Sequence, residues 1–498
     1  MFSRNPPLAV DREHDVPHFY LWLHGEARKG LATHLDIHNP FDGSKVATVA
    51  LAGKKHIDEA LKSAEEAFAL LRAMPRHTRA EHLHQVVVRL KEAKTELIDT
   101  LILEGGKPKA AAKQEVERSI DTFIWAAEEA RRFTGEIIAM DGLARGEGYE
   151  GYTRREAAGT VLGITPFNFP LNLVAHKVAP ALAVGNPVII KPASRTPISA
   201  LLLARIVSDA GWPAGTLNVL PMQHDRVQEL LDDERIVMLS FTGSAAVGWQ
   251  LKQRARHQHV VLELGGNAGA YVDASADIAF AAERLALGGF GQAGQSCIAV
   301  QRIYVKRSCY DDFLAKLVSA ASDTKSGNPQ ASDTVTGPLI SMHDVERVLA
   351  WIEEAVDEGA HIACGGSCLD LGQGQLIEPT VLTNVREEMK VCRQEIFGPV
   401  VTVTPVADIE EAIRHINHSD YGLQAAVFSR DIAVIEQAVA ELQVGGVVIN
   451  DFSNYRIDPM PYGGIKGSGL GKEGIRSAML EMSNEKMVVI RKSWPGQG

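Results

Sequence analysis

Runs of basic residues, long apolar stretches and paired cysteines are what this chain of 498 residues lacks. Its 51 Lys and Arg face 62 Asp and Glu, a formal net charge of −11, and no cationic block stands out. A broad nucleic-acid footprint is thereby excluded, because phosphate binding rests on clustered basic side chains. A local basic pocket for a small anion stays compatible with this balance. The cysteines, Cys297, Cys309, Cys364, Cys368 and Cys392, are odd in number and scattered. They make no disulfide framework and point to a reducing, cytoplasmic setting. Cys364 and Cys368 have no second pair or neighbouring His, so no metal is expected. The opening MFSRNPPLAVDREHDVPHFY lacks the apolar centre of a secretory leader. The longest apolar region, VLGITPFNFPLNLVAHKVAPALAVGNPVII, is interrupted by Asn, His, Lys and prolines and does not read as a membrane span. No repeat or low-complexity tract appears, which removes solenoid and disordered readings.

What is present is ordinary globular composition, 45% hydrophobic and 23% charged, over a length that calls for two or three compact units. The first region is helix-rich. IDEALKSAEEAFALLRAM puts Ile57, Leu61, Ala64, Phe68 and Leu71 on one helical face, and Pro75 follows. TRAEHLHQVVVRL sets Thr78 and Glu81 at capping-box spacing. From Gly159 short buried-type strands alternate with helices: PVIIK, TLNVL, IVMLSF and HVVLEL are the strands. Such alternation predicts βαβ units and a parallel sheet. Ligands of these sheets bind beyond the strands' carboxyl ends, so Lys191, Thr242, Gly243 and Glu263 are the positions to watch. A second α/β run follows, with strands AVQRIYV, VVTVTPV, LQAAVF and GGVVI. GYTRREAAGTV and KMVVI read as strands without a helix partner, a projecting hairpin and tail suited to pairing with another subunit.

Several stretches could carry chemistry. Cys297 lies in FGQAGQSCIAVQR, a Gly- and Gln-spaced turn behind a helical stretch. Alone, a free cysteine is more often a buried filler than a nucleophile. SFTGSAAVG joins a strand to a helix through Gly243 and Gly248, either a plain turn or a set of free N–H groups suited to a phosphate. VVLELGGNAG sets Glu263 in an apolar strand, where a carboxylate is either paired structurally or held for proton transfer. GITPFNFPLN fixes Asn168 in a rigid turn, where its amide can satisfy backbone groups or donate to an oxyanion. QEIFGPVV brings Glu395 and Phe397 ahead of a strand, and MPYGGIKGSGLGKEG is a Gly-rich crossover.

Together, and in this order, these stretches resemble the NAD(P)-dependent aldehyde dehydrogenase superfamily from about Thr78 to the C-terminus. LELGG around Glu263 and GQSC around Cys297 form the family's paired signature, with PFNFPL, FTGSAAVG, QEIFGPV and PYGGIKGSG at the expected stations. The resemblance implies an α/β fold with two doubly wound domains, a Rossmann-like cofactor domain and a catalytic domain, plus a small β oligomerisation hairpin and tail. Expected boundaries are 1–138 and 158–264 for the dinucleotide-binding domain and 265–468 for the catalytic domain. Residues 139–157 and 469–498 are the expected bridging segments of a homodimer or homotetramer.

It also implies a mechanism. Cys297 attacks the aldehyde carbon as thiolate, and the Asn168 amide with the Cys297 backbone N–H stabilises the oxyanion. Hydride leaves for the nicotinamide, and Glu263 takes a proton from the water that hydrolyses the thioester. Lys191 and Ser194 face the adenosine ribose, Ser244 the pyrophosphate, and Glu395 the nicotinamide ribose, with Phe397 packed nearby. Thr165, Pro166, Phe167, Gly243, Gly248 and Leu264 complete the expected cofactor lining. Lys177 falls on a family position, but a solvated structural lysine is the plain alternative and it stays outside the catalytic set.

Many NAD-preferring relatives carry Glu where this chain has Ser194, so NADP is the expected cofactor and NAD a possible one. Within the superfamily, GQSCIAVQR and NYRIDPMPYGG are most similar to the branch of lactaldehyde, non-phosphorylating glyceraldehyde-3-phosphate and succinic semialdehyde dehydrogenases, including moss-type family 21 members. Arg118 and Arg456 are the expected anchors for a distal carboxylate or phosphate, against the alternative that both are surface arginines. Succinic semialdehyde ranks first and glyceraldehyde 3-phosphate second. A CoA-acylating relative, a non-redox cysteine hydrolase and a catalytically silent protein on the same fold are the rival readings. Intact Glu263, the dinucleotide-site residues and the full Cys297–Glu263–Asn168 set weigh against each in turn.

Overall fold

The structure, a computed structural model, describes residues 16–372 and 376–492. The stretch 1–15, most of the segment read for a leader, lies outside the described residues, as do the ends of the outer domain segments.

Two open sheets organise the chain. The first has eight strands, and its parallel centre runs His259–Glu263, Ile236–Thr242, Thr160–Ile164, Val188–Lys191, Leu217–Val219 across the sheet. Sequence order reverses between Thr160–Ile164 and Ile236–Thr242, which opens a crevice at their carboxyl ends. Leu21–Leu23 and Glu26–Arg28 extend one edge antiparallel, and Gly469–Leu470 closes the other. The second sheet has seven strands, ordered His361–Cys364, Thr380–Thr383, Val400–Val406, Val300–Lys306, Ala268–Val272, Gln424–Phe428, Gly446–Ile449. Only its outermost pairing, His361–Cys364 on Thr380–Thr383, is antiparallel. The short link between Glu263 and Ala268 sets the carboxyl end of one sheet against the amino end of the other. That juxtaposition is where motifs distant in sequence meet.

Helices cover both sheets. Lys54–Ala73 buries Ile57, Leu61, Ala64 and Leu71 as its pattern predicts, while Phe68 is half-buried. The expected cap at Thr78 is corrected. The next helix, Arg76–Glu92, starts two residues earlier behind extended Pro75, so Thr78 lies in its first turn. Helix Asn172–Val184 is buried on every side, including His176 and Lys177, and sits at the centre of the cofactor-side layer. The expected hairpin and tail meet in one sheet. Gly159, at φ +134°, divides the stretch into Tyr149–Ala157 and Thr160–Ile164, and the second piece joins the eight-stranded sheet. Tyr149–Ala157 pairs with Ser483–Arg491 of the same chain along its whole length, and Ile137–Ile138 adds a third strand. Among the described residues no helix is long and apolar enough to cross a membrane.

Candidate active site

The turn that bears Asn168 follows strand Thr160–Ile164 and precedes helix Asn172–Val184. A helix start leaves N–H groups without intrahelical partners. Here Glu115, from helix Lys109–Arg132, accepts from the N–H of Leu171 at 2.9 Å and of Asn172 at 3.1 Å. Lys107 neutralises Glu115 and lies 3.9 Å above the Phe169 ring, so the whole PFNFPL turn is clamped from beneath. Glu104 acts the same way one helix further, accepting from the Ile198 and Ser199 N–H groups at 2.8 and 3.1 Å. Its burial raises the carboxyl to about 7.

The Cys297 loop is built from left-handed backbone. Gln292, Ala293 and Gly294 have φ of 53°, 56° and 66°, a conformation that costs non-glycine residues. Hydrogen bonds hold it. The Asn168 amide donates to the Gln295 carbonyl at 3.0 Å, and the Gln292 amide donates to the Asn168 carbonyl at 2.6 Å. Gln295 is tied in turn to Pro338 and Ile340. The Asn168 amide thus has a second N–H to spare, and the Cys297 backbone N–H finds no acceptor among the described residues. Both are donors of the kind an oxyanion needs, one on the cysteine itself and one bonded to the loop that carries it.

The two glycines after Glu263 exist for close approach. A Cβ at Gly266 would stand 2.4 Å from the Cys297 carbonyl oxygen, and one at Gly265 would stand 2.3 Å from Glu395 Oε2. LELGG therefore receives both the Cys297 loop and the Glu395 carboxylate, which also accepts from the Gly266 N–H at 2.9 Å. Burial pushes Glu395 up to about 7. Phe397, at φ 50°, meets Phe167 edge-on with ring centroids 5.9 Å apart.

Glu263 is 2% exposed, and neither of its carboxylate oxygens finds a hydrogen-bond donor at bonding distance among the described residues. Burial, and then repulsion from Glu473, raise its carboxyl well above the usual range. Glu473 is equally buried, but its partners are opposite. Lys177 Nζ lies 3.1 Å and Arg456 3.2 Å from its oxygens, and the two cations overcome burial and hold it low. Lys177 is fully buried rather than solvated, and also donates to Ser240 and Thr242 at 2.9 and 2.8 Å. Arg456 stacks over the Tyr462 ring at 3.6 Å, and the Tyr462 hydroxyl lies 3.0 Å from Cys297 Sγ. Burial pushes that thiol up to about 12.

Arg118 donates to Asp458 at 2.9 Å, in the loop that carries Arg456, and His176 closes the same carboxylate at 2.7 Å. Both guanidiniums keep a buried Nε without an acceptor. His176, Asp458, Tyr462 and Glu473 lie outside the residues singled out from sequence. His176 stands beside Lys177 in HKVAPAL and the others fall in or near the late Gly-rich crossover, the only signal that could have found them.

At the other end of the crevice Lys191 closes its strand, 2% exposed, and burial alone lowers its ammonium to about 8. Its Nζ lies 3.4 Å from His224 Nδ1, and no carboxylate bonds to it among the described residues. Ser194 follows in the next turn, and the Thr165 N–H donates to the Lys191 carbonyl at 3.3 Å. Ser244 opens helix Ala245–Arg254 without capping it by its side chain, so the helix N–H groups stay available. Gly248 lets that helix lie on Leu264, whose Cδ2 would meet a Cβ at 2.3 Å. A buried ammonium without a counter-ion, an uncapped helix start and Glu395 fit a phosphorylated dinucleotide laid along the crevice.

The sequence profile of the Aldehyde dehydrogenase family matches residues 27–488. The 3-sulfolactaldehyde dehydrogenase of Priestia aryabhattai is 40% identical over 476 residues, 95% of this chain and 98% of that protein. The crystal structure of aldehyde dehydrogenase 21 from Physcomitrella patens with the reaction product succinate superposes with a TM-score of 0.93 at 40% identity, covering 97% of this chain and 99% of that one. A glyceraldehyde-3-phosphate dehydrogenase from Methanocaldococcus jannaschii complexed with NADP gives 0.88 at 37% identity, over 93% of this chain and 100% of that one.

Proposed function

The chain belongs to the aldehyde dehydrogenase family, NAD(P)-dependent oxidoreductases acting on aldehydes, and we propose that it oxidises a short aldehyde with an anionic far end, succinic semialdehyde first, to the acid with NADP. The observation that carries the chemistry is the joining of the Asn168 amide to the Cys297 loop, with no acceptor for Cys297's own N–H among the described residues. Cys297 attacks the aldehyde carbon, and those two donors receive the oxygen as it gains charge. NADP, when bound, supplies the hydride acceptor that turns the thiohemiacetal on Cys297 into a thioester. Glu263 then draws a proton from the attacking water, and the acid leaves.

Lys191, with His224 beside it and Ser194 in place of a carboxylate, supports NADP over NAD, since among the described residues no carboxylate bonds to the Lys191 ammonium that would meet a 2′-phosphate. The buried Nε groups of Arg118 and Arg456 support an anionic tail. In succinic semialdehyde the carboxyl carbon is three C–C bonds of about 1.5 Å each from the attacked carbon. That short reach suits an arginine stacked on the tyrosine that touches Sγ. The Physcomitrella neighbour with bound succinate supports the same choice. A tetrahedral anionic tail is the second reading, supported by the relatives named for 3-sulfolactaldehyde and glyceraldehyde 3-phosphate. The proposal includes a cytoplasmic homodimer or homotetramer, supported by exposed Ile137, Met487 and Val489 on the outer three-stranded sheet and testable by light scattering.

The test is reduced-nicotinamide formation over a panel of neutral, carboxylated, sulfonated and phosphorylated aldehydes, with NAD or NADP and with or without CoA. Highest kcat/KM with succinic semialdehyde and NADP, independent of CoA, is expected. Arg456→Ala raises KM for that substrate far more than for a neutral aldehyde. Equal effects on both substrates refute the anchor, and turnover that requires CoA refutes hydrolysis by Glu263.

A further inference from the structure

A thiolate buried in protein needs something to hold its charge, and the surroundings of Cys297 offer little. Burial opposes ionisation most, the carboxylates of Glu395 and Glu263 oppose it further, and only the Tyr462 hydroxyl and the Arg456 charge favour it. No His, Lys or Arg side chain hydrogen-bonds to the sulfur among the described residues; its one polar side-chain contact is the Tyr462 hydroxyl, at 3.0 Å. Tyr462 is 4% exposed, with Arg456 3.6 Å above the centre of its ring. Its backbone is pinned on both sides, since its N–H and carbonyl pair with Glu473 at 3.0 and 2.7 Å. Glu473 in turn holds Arg456. The phenol is therefore positioned by the same carboxylate residue that positions the guanidinium over it.

While the sulfur carries its proton, either group can donate across this contact. Once the proton has left to solvent, only the phenol can. We propose that Tyr462 is the hydrogen-bond donor that stabilises the Cys297 thiolate, with Arg456 on the ring face drawing electron density from the phenol and making it a stronger donor. The phenol keeps its own proton throughout, and no bond other than S–H breaks. Tyr462 touches the reacting atom and so counts as a catalytic residue. The assignment rests on Cys297 being the nucleophile.

The experiment is alkylation of the full chain by iodoacetamide, without cofactor or aldehyde, followed against pH and mapped to Cys297 by mass spectrometry. The parent, Tyr462→Phe and Cys297→Ser are compared, each also assayed for turnover. A hydrogen bond to a charged sulfur corresponds to a shift of about one pH unit. Tyr462→Phe is therefore expected to move the alkylation midpoint up by about one unit and, because the less stabilised thiolate is also the better nucleophile, to slow the reaction about three- to fourfold below it. Incorporation of 3-fluorotyrosine at 462, a stronger donor of nearly the same shape, is expected to move the midpoint down, which a space-filling role would not do. A Tyr462→Phe profile that overlies the parent's, or faster alkylation at every pH, overturns the proposal even if Cys297→Ser is inactive. Full turnover by Cys297→Ser overturns the nucleophile assignment on which it stands.

Discussion

Replacing Glu263 by Gln separates the two halves of the reaction. Both side chains fill the same space, and the native carboxyl already lies 2% exposed with no hydrogen-bond partner, so the fold tolerates the exchange. Attack by Cys297 and hydride loss do not need the carboxylate; hydrolysis does. Removing a positioned general base costs 10²- to 10⁴-fold. Rapid mixing with succinic semialdehyde and NADP should show a burst of about one reduced nicotinamide per active site, followed by turnover slower by about that factor. Hydroxylamine, which needs no base to attack a thioester, should restore release. The pH profile carries a second signature. Because burial and Glu473 raise the Glu263 carboxyl, the parent's kcat climbs with pH through that raised value, and the variant's does not. Stability moves the opposite way. Above the ordinary value of 4.5 the unfolded carboxyl releases its proton while the folded one keeps it, so the parent loses stability as pH rises toward the raised value. The Tm advantage of Glu263→Gln should then be larger at pH 8 than at pH 5. Unchanged steady-state turnover with no burst would refute Glu263 as the base.

Asn168→Ala removes one oxyanion donor and should lower kcat by 10²- to 10³-fold; stopped-flow should show the burst itself slowed, unlike Glu263→Gln, and an unaltered burst rate would exclude the amide. Gly266→Ala places a Cβ 2.4 Å from the Cys297 carbonyl oxygen, so the nucleophile loop must shift. About 10²-fold loss of kcat is expected with native circular dichroism, and full activity would refute the close approach. Lys191, lowered to about 8 by burial, binds a 2′-phosphate best while charged. Calorimetric affinity for NADP should therefore weaken up to about tenfold per pH unit above 8, while affinity for NAD changes less; a constant ratio to pH 9.5 would remove Lys191 from the phosphate site.

Much of the architecture follows from local pattern. PVIIK, IVMLSF and HVVLEL are continuous apolar runs between turn signals, and each is a strand of the eight-stranded sheet. Their carboxyl-end residues, Lys191, Thr242 and Glu263, stand in neighbouring register, with Thr242 opposite Glu263. What the pattern could not carry is non-local. Leu21–Leu23 and Glu26–Arg28 are too short to show periodicity, and only the neighbouring edge makes them strands. Tyr149–Ala157 reads as a strand awaiting a partner, and its partner lies at the far end of the same chain. Pro75 sets the boundary instead of Thr78 because it keeps Met74 out of the helical region and itself stands extended at the N-cap, which leaves Thr78 in the first turn. The site divides in the same way. Cys297, Asn168 and Glu395 lie in Gly- and Pro-marked turns, and Glu263 ends an apolar strand just ahead of two glycines, so their local chemistry is distinctive. Asp458 matters through His176 and Arg118, 282 and 340 positions away, and no spacing rule connects them.

The choice of base shows why that hidden part matters. Two buried carboxylates, Glu263 and Glu473, repel each other in one pocket with two cations. Both cations go to Glu473, Lys177 at 3.1 Å and Arg456 at 3.2 Å, and none bonds to Glu263. The environments therefore push the two proton affinities apart, Glu473 down and Glu263 up. A carboxylate locked between two cations has little affinity left for a proton from water, whereas one kept apart from them has a great deal. In the proposed mechanism Glu473 is accordingly the fixed charge that seats Arg456 over Tyr462, and Glu263 the group that exchanges protons. If Glu473→Gln, rather than Glu263→Gln, gave the burst followed by stalled turnover, that division of labour would be wrong.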